Sequence, residues 1–207
     1  MMTYGFLSDV HGDLPALQWA LGCLQGADQI YFLGDVCGGP QVAECLQLLR
    51  QRQVFCVPGN HDLWDFERHE LDAELDRFLT ELPLMREVDD WLAVHSDFSR
   101  DDLGVCFPYI HSESDARRAF AQFPQRLIFF GHTHLSQIHW VTPEGNLGFQ
   151  RVRQPVTLDP DYRYLINVGA ASQACCLLRD GGQLEYFFRD PRTPRPEPRS
   201  RPWWQFW

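Results

Sequence analysis

Tyr4-Gly5-Phe6-Leu7-Ser8-Asp9-Val10-His11-Gly12-Asp13-Leu14-Pro15-Ala16-Leu17 places a short apolar run, an Asp-x-His pair and a helix start in immediate succession. The apolar run reads as a strand, because aromatic and aliphatic residues fill consecutive positions rather than one helical face. Asp9 and His11 stand two residues apart, so in an extended backbone both side chains project to one face. Asp13 suits a helix N-cap and Pro15 the first turn. Leu17, Ala20, Leu21 and Leu24 then repeat at helical spacing.

The same arrangement recurs down the chain. Gln29-Ile30-Tyr31-Phe32-Leu33 leads to Gly34-Asp35, and Val54-Phe55-Cys56-Val57 leads to Gly59-Asn60-His61-Asp62. Trp91-Leu92-Ala93-Val94 ends at His95, and Leu127-Ile128-Phe129-Phe130 ends at Gly131-His132-Thr133-His134. Runs apolar at every position belong to strands covered on both faces. A second helical pattern, Val42, Cys45, Leu46 and Leu49, follows Pro40. Strand alternating with helix predicts an α/β sheet, in which ligands collect at the carboxyl ends of strands. All five clusters occupy such ends. The second half turns antiparallel: Gln137–Val141 and Leu147–Val152 flank Pro143-Glu144-Gly145-Asn146, and Ala174–Leu178 and Leu184–Phe188 flank Asp180-Gly181-Gly182.

Composition narrows the function classes. At 207 residues, 44% hydrophobic, the chain fits one soluble domain with a sizeable core. No run reaches the ~20 apolar residues of a membrane span, and the N-terminus lacks a basic-then-apolar leader pattern, which predicts a cytoplasmic protein without membrane partners. Seven cysteines with no Cys-x-x-Cys pair argue against a disulfide framework or a thiolate zinc site. Cys23, Cys45 and Cys56 fall on apolar faces as small core residues. The net charge of −10 arises from 18 arginines, no lysine and 28 acids. Extended nucleic-acid binding is therefore disfavoured, and Schiff-base or Walker-type lysine chemistry is excluded.

The clusters together offer Asp9, His11, Asp35, Asn60, His95, His132 and His134 as ligands. Imidazole with carboxylate, and no thiolate, suits Mn, Fe, Co, Ni or Zn. A single ion rarely takes seven such side chains. Two ions sharing one carboxylate would take four each and keep positions open for water and substrate.

Asp-x-His-Gly, Gly-Asp, Gly-Asn-His-Asp, His and Gly-His-Thr-His, in that order, resemble the calcineurin-like metallophosphoesterases from about Thr3 to Asp190. Ser8 to Leu17 and Ile166-Asn167-Val168-Gly169-Ala170 look most like the small bacterial and archaeal phosphodiesterase branch. The resemblance implies a four-layer α/β/β/α sandwich with mixed sheets. It also implies two divalent transition metal ions, manganese foremost, one held by Asp9, His11, Asp35 and His134. The other would be held by Asp35, Asn60, His95 and His132, with Asp35 bridging. The expected activity is hydrolysis of phosphodiesters or small phosphomonoesters by a metal-bridging hydroxide. His61 is implied as the catalytic side chain that stabilises the transition state or protonates the leaving alkoxide. Asp62 is a candidate for fixing the ligand imidazoles.

Residues outside these motifs read more simply. His69, His111 and His139 are taken as non-ligands, with the Phe107-Pro108-Tyr109 loop before His111 able to line a pocket. Asp89-Asp90 and Asp101-Asp102 read as solvated loop charges, and Gly12, Gly34, Gly59 and Gly131 as backbone-permissive positions. The resemblance has two departures. Gly38 and Gly39 stand where protein Ser/Thr phosphatases and diadenosine tetraphosphate hydrolases continue to an arginine, and Ser96 follows His95 where glycine is commoner. The competing readings are a protein phosphatase, opposed by Gly38 and Gly39, and a non-catalytic scaffold, opposed by the complete ligand set.

Domain organisation is expected to be one domain over residues 1–190 and a tail over residues 191–207. The tail is rich in proline and arginine and ends Trp203-Trp204-Gln205-Phe206-Trp207. It cannot form a helix or central strand. Its exposed aromatics predict packing on the domain or on a second subunit, the latter making a homo-oligomer.

Overall fold

The computed structural model describes residues 2–64, 68, 70–101 and 104–190. The first half contains β1 (Tyr4–Leu7), α1 (Leu14–Cys23), β2 (Gln29–Phe32), α2 (Val42–Gln51), β3 (Phe55–Cys56), α3 (Asn60–Trp64), α4 (Ala73–Thr80), β4 (Met85–Val88) and β5 (Trp91–Val94). After β6 (Ser99–Asp101) and β7 (Gly104–Cys106) come α5 (Glu113–Gln122), β8 (Leu127–Phe130), β9 (Gln137–Val141) and β10 (Leu147–Arg151). The chain closes with β11 (Val156–Thr157), β12 (Arg163–Asn167), β13 (Ala174–Arg179) and β14 (Gln183–Phe188). The proposed tail, His69 and Asp102 lie outside the described residues.

Two six-stranded sheets result, ordered β11-β14-β13-β1-β2-β3 and β10-β9-β12-β8-β5-β4. Both are mixed. The β1-β2-β3 and β12-β8-β5 pairs are parallel, and the hairpins β9-β10 and β13-β14 are antiparallel. Alternation explains the layering. In β1, Phe6 enters the core between the sheets while Leu7 meets α1 and α2 on the outer face. In β8, Leu127 and Phe129 face the inter-sheet core, and Ile128 and Phe130 face α5. Such strands are apolar throughout because each of their faces is covered. The sheets touch through aromatic rings: Phe6 stacks on Phe129 at 3.8 Å between centroids, with the edge of Trp91 5.2 Å from Phe6. Burial of each large ring contributes about 2–3 kcal/mol. The architecture is the expected α/β/β/α sandwich.

Local chemistry fixes the helices. The Asp13 carboxylate accepts from the Ala16 amide at 2.9 Å, capping α1, and Pro15 occupies its first turn. Asp72 caps α4 by accepting from the Glu74 and Leu75 amides. Ser112 and Asp115 form a reciprocal capping box on α5. These two helices, β4, β12 and the short α3 were not read from periodicity, since none presents a long apolar stripe. Cys45 and Cys56 are buried and Cys23 half-buried, as small core residues. Among the described residues no helix is long and apolar enough to cross a membrane.

Candidate metal centre

The parallel strands of both sheets end at one edge of the sandwich, and the five clusters meet there. The β1–β2 ladder continues past the strands: Asp9 N–H donates to Gly34 O, His11 N–H to Asp35 O and Gly12 N–H to Val36 O. The first two ligand loops are thereby held side by side. The second sheet is tied to the first by His95, whose Nδ1 lies 2.7 Å from Leu33 O, and by the His132 amide, which donates to the Asp9 carboxylate.

Two groups of donor atoms converge. In one, His11 Nε2 lies 3.1 Å from His134 Nε2, and His134 Nε2 lies 3.3 Å from Asp9 Oδ1. In the other, His95 Nε2 lies 3.1 Å from His132 Nδ1, 3.1 Å from Asn60 Oδ1 and 3.4 Å from Asp35 Oδ2. Asp35 Oδ2 also lies 3.9 Å from His11 Nε2, so this carboxylate stands between the groups. All seven residues singled out from the sequence are therefore together. Ions bound at about 2.1 Å, in tetrahedral to octahedral geometry, separate neighbouring donors by roughly 3.0–3.4 Å. The spacings within each group fit, while the 3.9 Å between Asp35 and His11 is wider than that range.

Tautomers strengthen the fit. His11 Nδ1 lies 2.9 Å from Cys37 O, and His95 Nδ1 is held by Leu33 O. Carbonyls only accept, so each Nδ1 carries a proton and each Nε2 is the ring atom left to face the cluster. There His95 Nε2 meets the Asp35 and Asn60 oxygens, an arrangement that a cation would satisfy. Without metal, a proton answers the same demand. Burial disfavours a charged His95, but Asp35 outweighs it and raises the imidazole to about 9. Burial, with the neighbouring His95 charge, lowers His132 to about 4. Burial raises Asp35, yet His95 and the His61 amide hold it below the usual carboxylate range.

Asp62, at the first turn of α3, supports the assembly from behind. It is 1% exposed. Its Oδ1 accepts from the Val36 and Cys37 amides, and its Oδ2 from the Asp35 and Gly59 amides, all at 2.8–2.9 Å. One carboxylate thus clamps the Asp35 loop to the Asn60 loop through backbone amides, rather than fixing an imidazole as expected. Burial and nearby Asp35 push its pKa up against those amides. Asn167, ending β12, braces the Gly131-His132-Thr133-His134 loop by donating to Gly131 O and Thr133 Oγ1.

The glycines act differently from expectation at two positions. Gly12 and Gly34 do adopt positive φ, but Gly59 and Gly131 do not. A Cβ on Gly59 would strike the Asp35 carboxylate, and one on Gly131 would meet Ser8 Oγ and Asp9 Oδ2. They are small because the ligands need the space. The left-handed backbone instead falls on the ligands: Asp9, His11, Asp35, His132 and His134 all have φ between 47° and 68°.

Above the donors lies a cleft of about 220 Å³ lined by Asp35, Asn60, His61, Tyr109, His132, Thr133 and His134. His61 projects into it from α3, its ring edge-on to His11 at 4.9 Å. It also lies within metal-sharing distance of His11 and Asp35. The sequence signal for Tyr109 was the aromatic loop before His111; Thr133 gave none beyond its place in the motif. Asp90 pairs with Arg126, and His139 lies on the outer face of the second sheet, outside the cluster.

The sequence profile of the calcineurin-like phosphoesterase superfamily domain matches residues 2–184. This chain belongs to that family. An uncharacterized protein of Methanocaldococcus jannaschii, MJ0912, is 29% identical over 202 residues, covering 84% of this chain and 76% of the relative. The crystal structure of a metallophosphoesterase from Sphaerobacter thermophilus superposes with a TM-score of 0.75 at 27% identity, over 91% of this chain and 88% of that one. A structure described as a novel archaeal phosphodiesterase shares the fold, with a TM-score of 0.54 at 16% identity, over 91% of this chain and all of that one. The family is one of metal-dependent phosphoesterases, and candidate metal ligands are in place in this chain.

Proposed function

We propose that this chain is a dinuclear phosphoesterase that hydrolyses phosphodiesters and, less readily, small phosphomonoesters. The observation that carries the reading is the pair of donor groups on the cleft floor with Asp35 between them. Asp9, His11, Asp35 and His134 would hold one divalent ion, and Asp35, Asn60, His95 and His132 the other, with manganese the first choice. Bound there, two such ions would supply a nucleophile from water near neutral pH and polarise the P–O bonds.

The protein's own groups do the rest. Asp62 fixes Asp35 through the amides of both flanking loops, so the bridging carboxylate is set before substrate arrives. The carbonyls of Cys37 and Leu33 orient two imidazoles. His61 faces the cleft and would donate a proton to the departing alkoxide, an effect of roughly 10²–10⁴-fold. No arginine lines the cleft among the described residues, and Gly38 and Gly39 occupy the stretch after Asp35. A dianionic monoester or phosphoprotein would therefore find no side-chain guanidinium there, whereas a singly charged diester needs less compensation. The same reading takes the substrate as a small phosphate ester in the cytoplasm, and not an extended nucleic acid.

The test is a panel of nitrophenyl mono- and diesters assayed with Mn, Ni, Fe and Zn beside elemental analysis. Diester turnover with about two ions per chain is expected. A fully loaded protein inert to every ester would leave the scaffold reading in its place.

A further inference from the structure

We propose that Tyr109 is a substrate-positioning residue that selects phosphate esters bearing a flat, uncharged aromatic or heteroaromatic group, an inference that rests on the phosphoesterase reading. Tyr109 is 56% exposed at the mouth of the cleft, yet its backbone is fixed at three successive carbonyls. Ser96 Oγ donates to Pro108 O at 2.8 Å, Arg118 Nη2 to Tyr109 O at 3.1 Å and Gln137 Nε2 to Ile110 O at 3.2 Å. Ser96 and Gln137 are buried, and Arg118 is itself held by Asp97 and Asp115. An exposed tyrosine on so constrained a loop presents a preset surface, which lowers the entropy lost when a ligand packs on it. The serine after His95 thereby acquires a role: its hydroxyl secures the loop that carries Tyr109.

The rings give the surface its direction. Tyr109 lies near-parallel to His132, with centroids 4.2 Å apart, and near-parallel to His111 at 5.2 Å. His132 and Tyr109 line the metal cleft, while His111 lines a second hollow of about 240 Å³ with Leu147, Gly148 and half-exposed Phe149. A row of aromatic rings thus leads from the donor atoms toward a hollow that sets Leu147 and Phe149 beside His139. Among the described residues no arginine lines either space, and Glu113, paired with Arg117, stands at the hollow. That chemistry disfavours a second phosphate or a carboxylate on the ester and favours a flat apolar group lying along the row.

The experiment measures calorimetric affinities of the diesters methyl phenyl phosphate and dimethyl phosphate for the Mn-loaded full chain. The two probes share the phosphate and differ in the group that would meet Tyr109. Wild type should prefer methyl phenyl phosphate by about fivefold, the scale of one aromatic contact. Tyr109→Ala should bring the ratio near unity, Tyr109→Phe should retain it, and Ser96→Gly should fall between, with the tyrosine still present. If both probes bind and the ratio is the same in wild type and Tyr109→Ala, the inference is overturned while the phosphoesterase reading survives. If neither binds the loaded wild type, that parent reading fails and takes the inference with it.

Discussion

Asp62→Asn is the substitution that best separates support of the centre from membership in it. The change is nearly isosteric, so no cavity term enters. It replaces one carboxylate oxygen by an NH₂ group that must face two of the four amides now donating to Asp62. Whichever way the amide turns, two N–H groups lose their acceptor, either those of Asp35 and Gly59 or those of Val36 and Cys37. Hydrogen bonds to a charged group contribute about 1.5–3 kcal/mol each, so the gross loss is about 3–6 kcal/mol. Removing a buried charge beside Asp35 recovers part of that, leaving a net destabilisation of about 3 kcal/mol. Denaturant unfolding in excess chelator reads this value free of metal linkage. Because the clamp aligns Asp35 with Asn60, affinity for Mn should also fall by about 10–100-fold, as for other groups that orient ligands. Wild-type unfolding together with wild-type metal affinity in the Asp62→Asn protein would refute the clamp.

Asp35→Ala should lose both ions, because its carboxylate stands between the two donor groups; elemental analysis showing one ion retained would deny it a bridging place. His61→Ala should keep its metals and lose turnover by roughly 10²–10⁴-fold, most for poor leaving groups; metal loss in proportion to activity would make His61 a ligand with His11 and Asp35 instead. Burial, opposed weakly by Asp115, lowers the pKa of His139, whose Nε2 is buried with no hydrogen-bond partner among the described residues. A depressed folded pKa means stability present above the unfolded value of about 6.5 and lost as pH falls through the folded one. The stability gap between wild type and His139→Phe should therefore shift against wild type from pH 7 to 5, and a constant gap would contradict this. Stopping the chain after Asp190 should lower the melting temperature or change the oligomeric mass without abolishing metal binding; unchanged mass and melting would leave the tail without a packing role.

What the sequence revealed and what it hid follow from physical range. β1, β5 and β8 were legible because both their faces are buried, so every position had to be apolar. The ligand set was legible because each ligand follows such a strand directly, and chain order converts to spatial order at a shared sheet edge. α5 and α4 were missed because short helices covering part of a sheet need few apolar residues; their caps, Ser112 with Asp115 and Asp72, were the available signal. Asp62 was named as a candidate support within the Gly-Asn-His-Asp motif. Its four partners span Asp35 to Gly59, a relation between distant segments that no local pattern encodes. The loop bearing Tyr109 was flagged for its aromatics, but its restraint by Ser96, Arg118 and Gln137 is long-range in the same sense.

The backbone at the centre connects fold to chemistry. Eight non-glycine residues among those described have positive φ, and five of them are candidate metal ligands. Each such conformation costs on the order of 1 kcal/mol or more and persists only where surroundings over-determine it. Here the surroundings are identifiable: the Asp9, His11 and Gly12 amides bond the next loop, and Asp62 clamps two loops at once. The left-handed turn reverses the chain just past the strand while leaving the side chain at the sheet edge, where its counterparts from other strands converge. Glycine would relieve the strain but carries no ligand. The fold thus accepts local strain at Asp9, His11, Asp35, His132 and His134 because only a side chain at the turn itself reaches the common centre, and the apolar strands behind are what make that strain sustainable.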